Sequence, residues 1–176
     1  MTIGRRVVFL DRDGVLTVPL EREGKGYAAR SRDELEFYPG AADSVSRLRR
    51  AGFDVVVVTN QPDLANGLID RAELEAIHAE VMAKLGPLRI HTCPHLGVDN
   101  CGCRKPLPGM LFAEYEIEPV LFEESWLVGD RDSDIEAGLT VGCRVIFIDR
   151  GWSDETGSRA GKVVLSLAEA VDAILA

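Results

Sequence analysis

Stretches dominated by consecutive apolar residues alternate along the chain with stretches in which apolar residues recur every three or four positions. The strand candidates are VVFL (7–10), VVVV (55–58), LRIHT (88–92), SWLVG (125–129) and CRVIFI (143–148). The helical spacing predicts helices near 41–51, 70–85, 108–116, 132–141 and 166–175. Strands that are apolar throughout, rather than alternating, belong to sheets covered by helices on both faces. The pattern therefore predicts an α/β fold with a doubly wound, Rossmann-like parallel sheet. Helix punctuation agrees: Pro39-Gly40 precedes the first predicted helix, Gly52 follows it, and Asp70 and Ser166 stand at N-cap positions.

Two irregular stretches interrupt the pattern, 17–38, rich in charge and glycine, and 93–107, rich in Cys, Gly and Pro. Both are too short to be independent domains and read as functional loops over the strand ends. The 176 residues then form a single domain, 1–176, with the second of these loops at about 93–103. No tract approaches the ~18 consecutive apolar residues of a membrane span, so no membrane partner is expected. The segment MTIGRRVVFLDRDGV offers only four consecutive apolar residues before Asp11, too few for a secretory signal, and a cytoplasmic location is expected. Acidic residues outnumber basic ones by 29 to 20, a net charge of −9, which argues against binding nucleic acid through phosphate neutralisation. A small anionic substrate held by a few local cations is compatible with that balance.

The chemistry concentrates where the apolar strands end. VVFL runs into Asp11-Arg12-Asp13-Gly14-Val15, VVVV into Thr59-Asn60-Gln61, and WLVG into Asp130-Arg131-Asp132-Ser133-Asp134. In open parallel sheets ligands bind outside the carboxyl ends of the strands. Any one of these aspartates alone would read as an ordinary turn or cap residue; the clusters together make a site for a hard divalent cation such as Mg²⁺. With the charge of a phosphate ester neutralised, Asp11 is placed to attack phosphorus. Asp13 would then protonate the leaving oxygen and later activate water.

Cys93-Pro94-His95 and, five residues later, Cys101-Gly102-Cys103 bring three thiols and an imidazole into eleven residues. That composition suits a closed, structural tetrahedral Zn²⁺ site with Cys93, His95, Cys101 and Cys103 as ligands. Cys101 and Cys103 are too close in sequence for an easy disulfide, and a cytosol is reducing. Cys143, alone in an apolar segment, reads as a buried small hydrophobe.

Taken in order, Asp11-Arg12-Asp13-Gly14-Val15, Thr59-Asn60, Lys105 and Gly129-Asp130-x-x-x-Asp134 resemble the four motifs of the haloacid dehalogenase superfamily of phosphohydrolases, over about residues 6–150. The resemblance implies Asp11 as nucleophile and Asp13 as acid/base. It implies Thr59 and Asn60 as phosphate or substrate contacts, and Lys105 as the cation that steadies a phosphoaspartate. It gives Mg²⁺ to Asp11, the Asp13 carbonyl and Asp130, and leaves Asp134 to bind through water or to orient its neighbours.

The cysteine loop running into Arg104-Lys105-Pro106-x-Pro108-Gly109-Met110 is similar to the heptose-bisphosphate phosphatase and histidinol-phosphate phosphatase group within that superfamily, and resembles its compact members, which implies a zinc loop and no separate cap domain. That resemblance implies removal of the 7-phosphate of D-glycero-D-manno-heptose 1,7-bisphosphate, with histidinol phosphate or another small metabolite as the alternative substrate. Arg104 and Arg131 match cationic substrate-holding positions of the group; solvated arginines are the plainer reading. Two departures stand out: the five-residue gap between His95 and Cys101 is shorter than in the well-known heptose enzymes, and Val15 replaces a common threonine. Lys25 and Tyr27, in the glycine-rich segment 23–27, are placed to reach substrate or to sit in a mobile loop. His78 and His91 read as packing or surface residues without matching partners, Trp126 as core and Trp152 as surface packing. A substrate contact from 150–152 has no sequence support beyond its place after the last strong strand.

Two other classes of function share some of these features. A phosphoaccepting receiver-like signalling domain also combines an acidic Mg²⁺ site with Asp, Thr and Lys, but carries its acceptor Asp on a middle strand after an earlier acidic pair. Here the candidate nucleophile ends the first strand. A zinc-organised nucleic-acid module would need a basic stripe that is absent. The expectation is thus a Mg²⁺-dependent phosphomonoesterase, a monomer, acting on a small phosphorylated sugar or alcohol.

Overall fold

The computed structural model describes residues 4–152 and 154–176. In chain order the elements are β1 (Val7–Leu10), β2 (Leu20–Arg22), β3 (Lys25–Tyr27), α1 (Ala41–Arg50), β4 (Asp54–Asn60), α2 (Arg71–Leu85) and β5 (Arg89–Cys93). They continue as α3 (Gly109–Ile117), β6 (Trp126–Gly129), α4 (Asp132–Val141), β7 (Arg144–Ile148), β8 (Lys162–Val164) and α5 (Leu167–Leu175). Each strand and helix expected from the apolar pattern is present within two residues of its expected bounds. The side chains of Asp70 and Ser166 accept from the backbone N–H groups of Glu73 and Glu169, as N-caps do.

Six strands form one parallel sheet in the order β5-β4-β1-β6-β7-β8. Successive residues of β1 serve opposite faces, which is why the run is apolar throughout. Val8 and Leu10 pack with residues of α1, α2 and α5, while Val7 and Phe9 pack with residues of α3 and α4. From β1 the chain moves towards β4 and β5, then returns to β6 on the other side of β1 and moves away again. The crevice between the carboxyl ends of β1 and β6 is therefore a topological switch point.

Two elements depart from the expected pattern. The stretch 17–38, read as irregular, contains the antiparallel hairpin β2–β3, whose two-residue turn places both Glu23 (φ 52°) and Gly24 (φ 73°) in the left-handed region. A turn of that hand suits the twist of a two-stranded ribbon. Its strands are three residues long and mostly exposed, so they carry no apolar alternation to read. The excursion is closed at its base by Val18 N–H to the Glu36 carbonyl (2.8 Å) and Tyr38 N–H to the Leu16 carbonyl (3.0 Å). The short edge strand β8, beside β7, was likewise invisible in the pattern.

The histidine readings also change. His91 does have a partner, Glu114 Oε2 at 2.7 Å, in a cluster where Arg5 and Arg89 also pair with that fully buried carboxylate. His78 is held neutral, its pKa pushed down to about 4 by burial and by the charge of Arg12. Cys143 is buried, as expected.

Ser125, fully buried before β6, holds the sheet to its flank: its hydroxyl accepts from Val7 N–H at 3.0 Å and donates to the Leu121 carbonyl at 2.7 Å. Ser125→Ala orphans the Val7 N–H and leaves the Leu121 carbonyl with the Glu124 N–H alone, and is expected to lower unfolding stability by about 1–3 kcal/mol, measured by urea denaturation.

Candidate active site

At the switch point β1 leads into Asp11 and β6 into Asp130, and Asp11 N–H donates to the Val128 carbonyl of β6 at 3.0 Å. Asp134 enters from the first turn of α4, where its Oδ2 accepts from Arg131 N–H at 3.1 Å. The three carboxylates are buried and offer oxygens within 4.8 Å of one another. Gly14 makes this approach possible: with φ at 89°, it lies so near Asp130 that a Cβ would stand 1.9 Å from Oδ2.

One buried ammonium answers two of the three acids. Lys105 Nζ lies 3.0 Å from Asp11 Oδ1 and 2.6 Å from Asp134 Oδ1, and donates to the Val58 carbonyl at 2.6 Å. Burial works against its charge, but Asp11 and Asp134 outweigh it, and the Lys105 pKa is raised. Burial pushes Asp11 well above the ordinary carboxylate range, with Asp134 and Asp130 adding repulsion. Asp130 is pushed up to about 7, by burial first and by Asp134 second. Its Oδ1 is buried without a hydrogen-bond partner among the described residues. An excess of buried carboxylate with an unpaired oxygen is what a hard divalent cation would satisfy, so the donor set fits Mg²⁺.

The expected Mg²⁺ set was Asp11, the Asp13 carbonyl and Asp130; the acid side chains that the fold groups are Asp11, Asp130 and Asp134. The Asp13 carboxylate is drawn away by other donors. Arg12, fully buried, pairs with it at 3.0 Å, Gln61 Nε2 donates to Oδ2 at 2.8 Å, and the Thr17 hydroxyl donates to Oδ1 at 3.1 Å. Asp13 still lines the cavity, of about 320 Å³, together with Asp11, Asn60, Arg104, Lys105 and Arg131.

Thr59 is placed differently from Asn60. Its hydroxyl is buried and accepts from Gln61 Nε2 at 2.9 Å, and it is not among the residues lining the cavity. Asn60 clamps the backbone of Lys105 from both sides of its amide, accepting from Lys105 N–H and donating to the Lys105 carbonyl, each at 3.1 Å. Arg104 Nη1 donates to the His95 carbonyl at 3.1 Å, and Arg131 Nη2 to the Gly26 carbonyl at 2.7 Å. Of the hairpin residues, Tyr27 lines the cavity and Lys25 pairs with Asp154 at 2.5 Å.

Three residues given no role from the sequence belong to the site. Gln61 bridges Thr59 and Asp13; strand alternation, which puts residues 59 and 61 on one side, was the available signal. Glu155 accepts from Asp132 N–H at 2.6 Å and lines the cavity. Trp152, read as surface packing, donates from Nε1 to Asp130 Oδ2 at 2.6 Å. Arg150 spends its donors on backbone, on the Gly14 carbonyl at 2.7 Å and the Leu165 carbonyl at 3.1 Å.

Beside the acids, Cys93 at the end of β5 converges with His95, Cys101 and Cys103, their ligand atoms all within 4.8 Å of one another. Cys93 Sγ lies 3.5 Å from His95 Nδ1 and 3.6 Å from Cys101 Sγ, and His95 Nδ1 lies 3.3 Å from Cys103 Sγ. Ligands on a tetrahedral zinc at the usual Zn–S distance stand about 3.7 Å apart. The four groups thus have a composition and a spacing compatible with Zn²⁺.

Residues 102–170 match the family model described as HAD-hydrolase-like. A Pseudomonas putida protein named D-glycero-beta-D-manno-heptose-1,7-bisphosphate 7-phosphatase is 36% identical over 156 residues, 86% of each chain. A Mycobacterium tuberculosis protein named for the alpha anomer of that substrate is also 36% identical, over 76% of this chain and 72% of its own. The crystal structure of D,D-heptose 1.7-bisphosphate phosphatase from B. bronchiseptica, complexed with magnesium and phosphate, superposes with a TM-score of 0.82 at 33% identity, covering 97% of this chain and 98% of that one.

The raised acids set a pH dependence for the metal-free protein. Folded Asp130 titrates at about 7, the unfolded side chain at about 3.9. The folded state holds the extra proton, so the stabilisation is complete below about pH 4 and is lost as pH rises through about 7. The thermal midpoint without Mg²⁺ is expected to fall between about pH 4 and 7, and Asp130→Asn to reduce that fall, as read by scanning calorimetry.

Proposed function

The chain belongs to the haloacid dehalogenase-like hydrolases, in the group of heptose-bisphosphate phosphatases, and on that premise we propose that it removes the 7-phosphate of D-glycero-D-manno-heptose 1,7-bisphosphate. The observation that carries the reading is the meeting of Asp11 and Asp130 at the β1–β6 switch point, with Lys105 3.0 Å from Asp11 and Arg104 and Arg131 on the wall of the same cavity.

Asp11 is the nucleophile. Its carboxylate attacks the phosphorus of the 7-phosphate, the bond from phosphorus to the sugar oxygen breaks, and Asp13 delivers a proton to that oxygen. Water then attacks the phosphorus of the phosphoaspartate, Asp13 takes its proton, and phosphate leaves with Asp11 regenerated. The donors around Asp13 fix its carboxylate for both transfers. Lys105 offsets charge on Asp11 and on the phosphoryl group joined to it, and Asn60 keeps the lysine backbone in register. Asp11, Asp130 and the Asp13 carbonyl would hold Mg²⁺, which supplies when bound the positive charge that keeps Asp11 ionised beside an anionic substrate. Arg104 and Arg131 hold the second phosphate, Arg131 from its anchor on Gly26.

The Cys93, His95, Cys101 and Cys103 cluster holds a structural Zn²⁺ that fixes the chain leading directly into Arg104 and Lys105. Four protein ligands leave no position open for substrate. No helix among the described residues is long and apolar enough to cross a membrane; a monomer in the cytoplasm, where thiols stay reduced, is the setting this reading implies.

Phosphate release with Mg²⁺ from both anomers of the heptose 1,7-bisphosphate, from histidinol phosphate and from hexose phosphates tests the reading. A strong kcat/KM preference for one heptose anomer is expected, and Asp11→Asn is expected to lower kcat on the order of a thousand-fold or more; flat activity across the panel would remove the heptose assignment. Elemental analysis of protein purified without chelator is expected to find about one zinc per chain. Cys93→Ser is expected to lose that metal and several kcal/mol of stability, on the order of structural zinc sites.

A further inference from the structure

We infer that Trp152 is a positioning residue for Asp130, and that it ties occupation of the metal site to the β2–β3 wall of the cavity. The inference rests on the reading of Asp11 and Asp130 as Mg²⁺ ligands. Trp152 lies four residues beyond the end of β7. Its indole Nε1, a donor that cannot accept, holds Asp130 Oδ2 at 2.6 Å. The other oxygen of that carboxylate is buried and has no hydrogen-bond partner among the described residues. With Oδ2 pinned by the indole, and with Gly14 packed close against the carboxylate, the ring and its hydrogen bond fix how the free oxygen is presented.

The rest of the indole reaches the substrate wall. A Cβ added at Gly26 in β3 would stand 2.7 Å from Trp152 Cζ2, so the ring and the hairpin backbone are in close contact. The Arg131 guanidinium lies 5.4 Å from the indole centroid and donates to the Gly26 carbonyl at 2.7 Å. The same ring thus meets a metal-site acid, a cation of the cavity wall and the hairpin. An ion that draws on Asp130 changes the demand on its indole partner, and the indole passes that change to Gly26 and Arg131. Groups that orient a ligand from behind commonly carry a ten- to hundred-fold share of metal affinity.

Mg²⁺ binding to the full chain, followed by calorimetry and by tryptophan emission without substrate, tests this. Trp152→Phe keeps a ring and loses the donor; its Kd for Mg²⁺ is expected to rise about ten-fold or more, while the metal-free thermal midpoint shows whether it folds. Mg²⁺ is expected to change the emission of Trp126→Phe, whose one tryptophan is Trp152. Unchanged Mg²⁺ affinity in Trp152→Phe, with affinity lost in Asp130→Asn, overturns this inference alone. Affinity unchanged in both variants overturns the metal reading beneath it as well. Should Trp152→Phe not fold, an emission from Trp126→Phe that is indifferent to saturating Mg²⁺ overturns the coupling.

Discussion

The Lys105 ammonium is buried among three carboxylates with three protons to give, and both facts constrain what surrounds it. Its donors reach Asp11, Asp134 and the Val58 carbonyl, which ties the acid-bearing ends of β1 and α4 to the strand between β1 and β5. Asp130 receives none of them. Its nearest cation is Arg131, at 3.9 Å from Oδ2, and its other oxygen is unpaired among the described residues. A buried charge without a partner is costly enough that the group either takes up a proton or recruits an ion. The same imbalance therefore makes the site reluctant when empty and receptive to a divalent cation. It also explains why the lysine is so closely held: a shift of its backbone would strand two carboxylates, and Asn60 grips that backbone on both sides.

The two ligand clusters differ in composition. The acid cluster offers hard oxygens beside a cavity, whereas the sulfur-rich cluster is built from a loop and the end of β5. Between them runs a single residue pair, Arg104-Lys105, directly after Cys103. Order in the sulfur cluster thus sets where Arg104, a cation of the cavity wall, and the central ammonium begin, although the two clusters share no residue.

The sheet was legible because burial on both faces leaves an unbroken apolar signature, and the catalytic motifs were legible because they interrupt that signature abruptly at Asp11, Thr59 and Asp130. What was not legible depended on contacts between distant segments. Nothing in the order of residues says that the carboxylate of Asp13 would be taken by Arg12, Thr17 and Gln61, whereas Asp134, one motif with Asp130, lies beside Asp11 and Asp130. Trp152 looked like packing because an indole donating to a carboxylate twenty-two residues away leaves no periodic trace. Its place just past the carboxyl end of β7, where the other site residues also emerge, was the only clue. The hairpin escaped notice for a local reason: its exposed strands are too short for alternation, and Glu23 adopts a conformation that glutamate seldom takes.

The closed base of the 17–38 excursion carries a consequence for how such an enzyme can diversify. Leu16 and Val18 are stitched to Tyr38 and Glu36, so the chain leaves and re-enters the core at almost one point. Everything beyond that stitch can lengthen, shorten or be exchanged while the reactive aspartates and α1 keep their places. Doubling such a loop costs only about 0.6 kcal/mol in closure entropy. The part of the cavity wall that Pro19, Gly26, Tyr27 and Ala28 supply is thereby carried on an excursion whose tip, at Glu23 and Gly24, is free to vary in length without moving the strand ends that hold the acids.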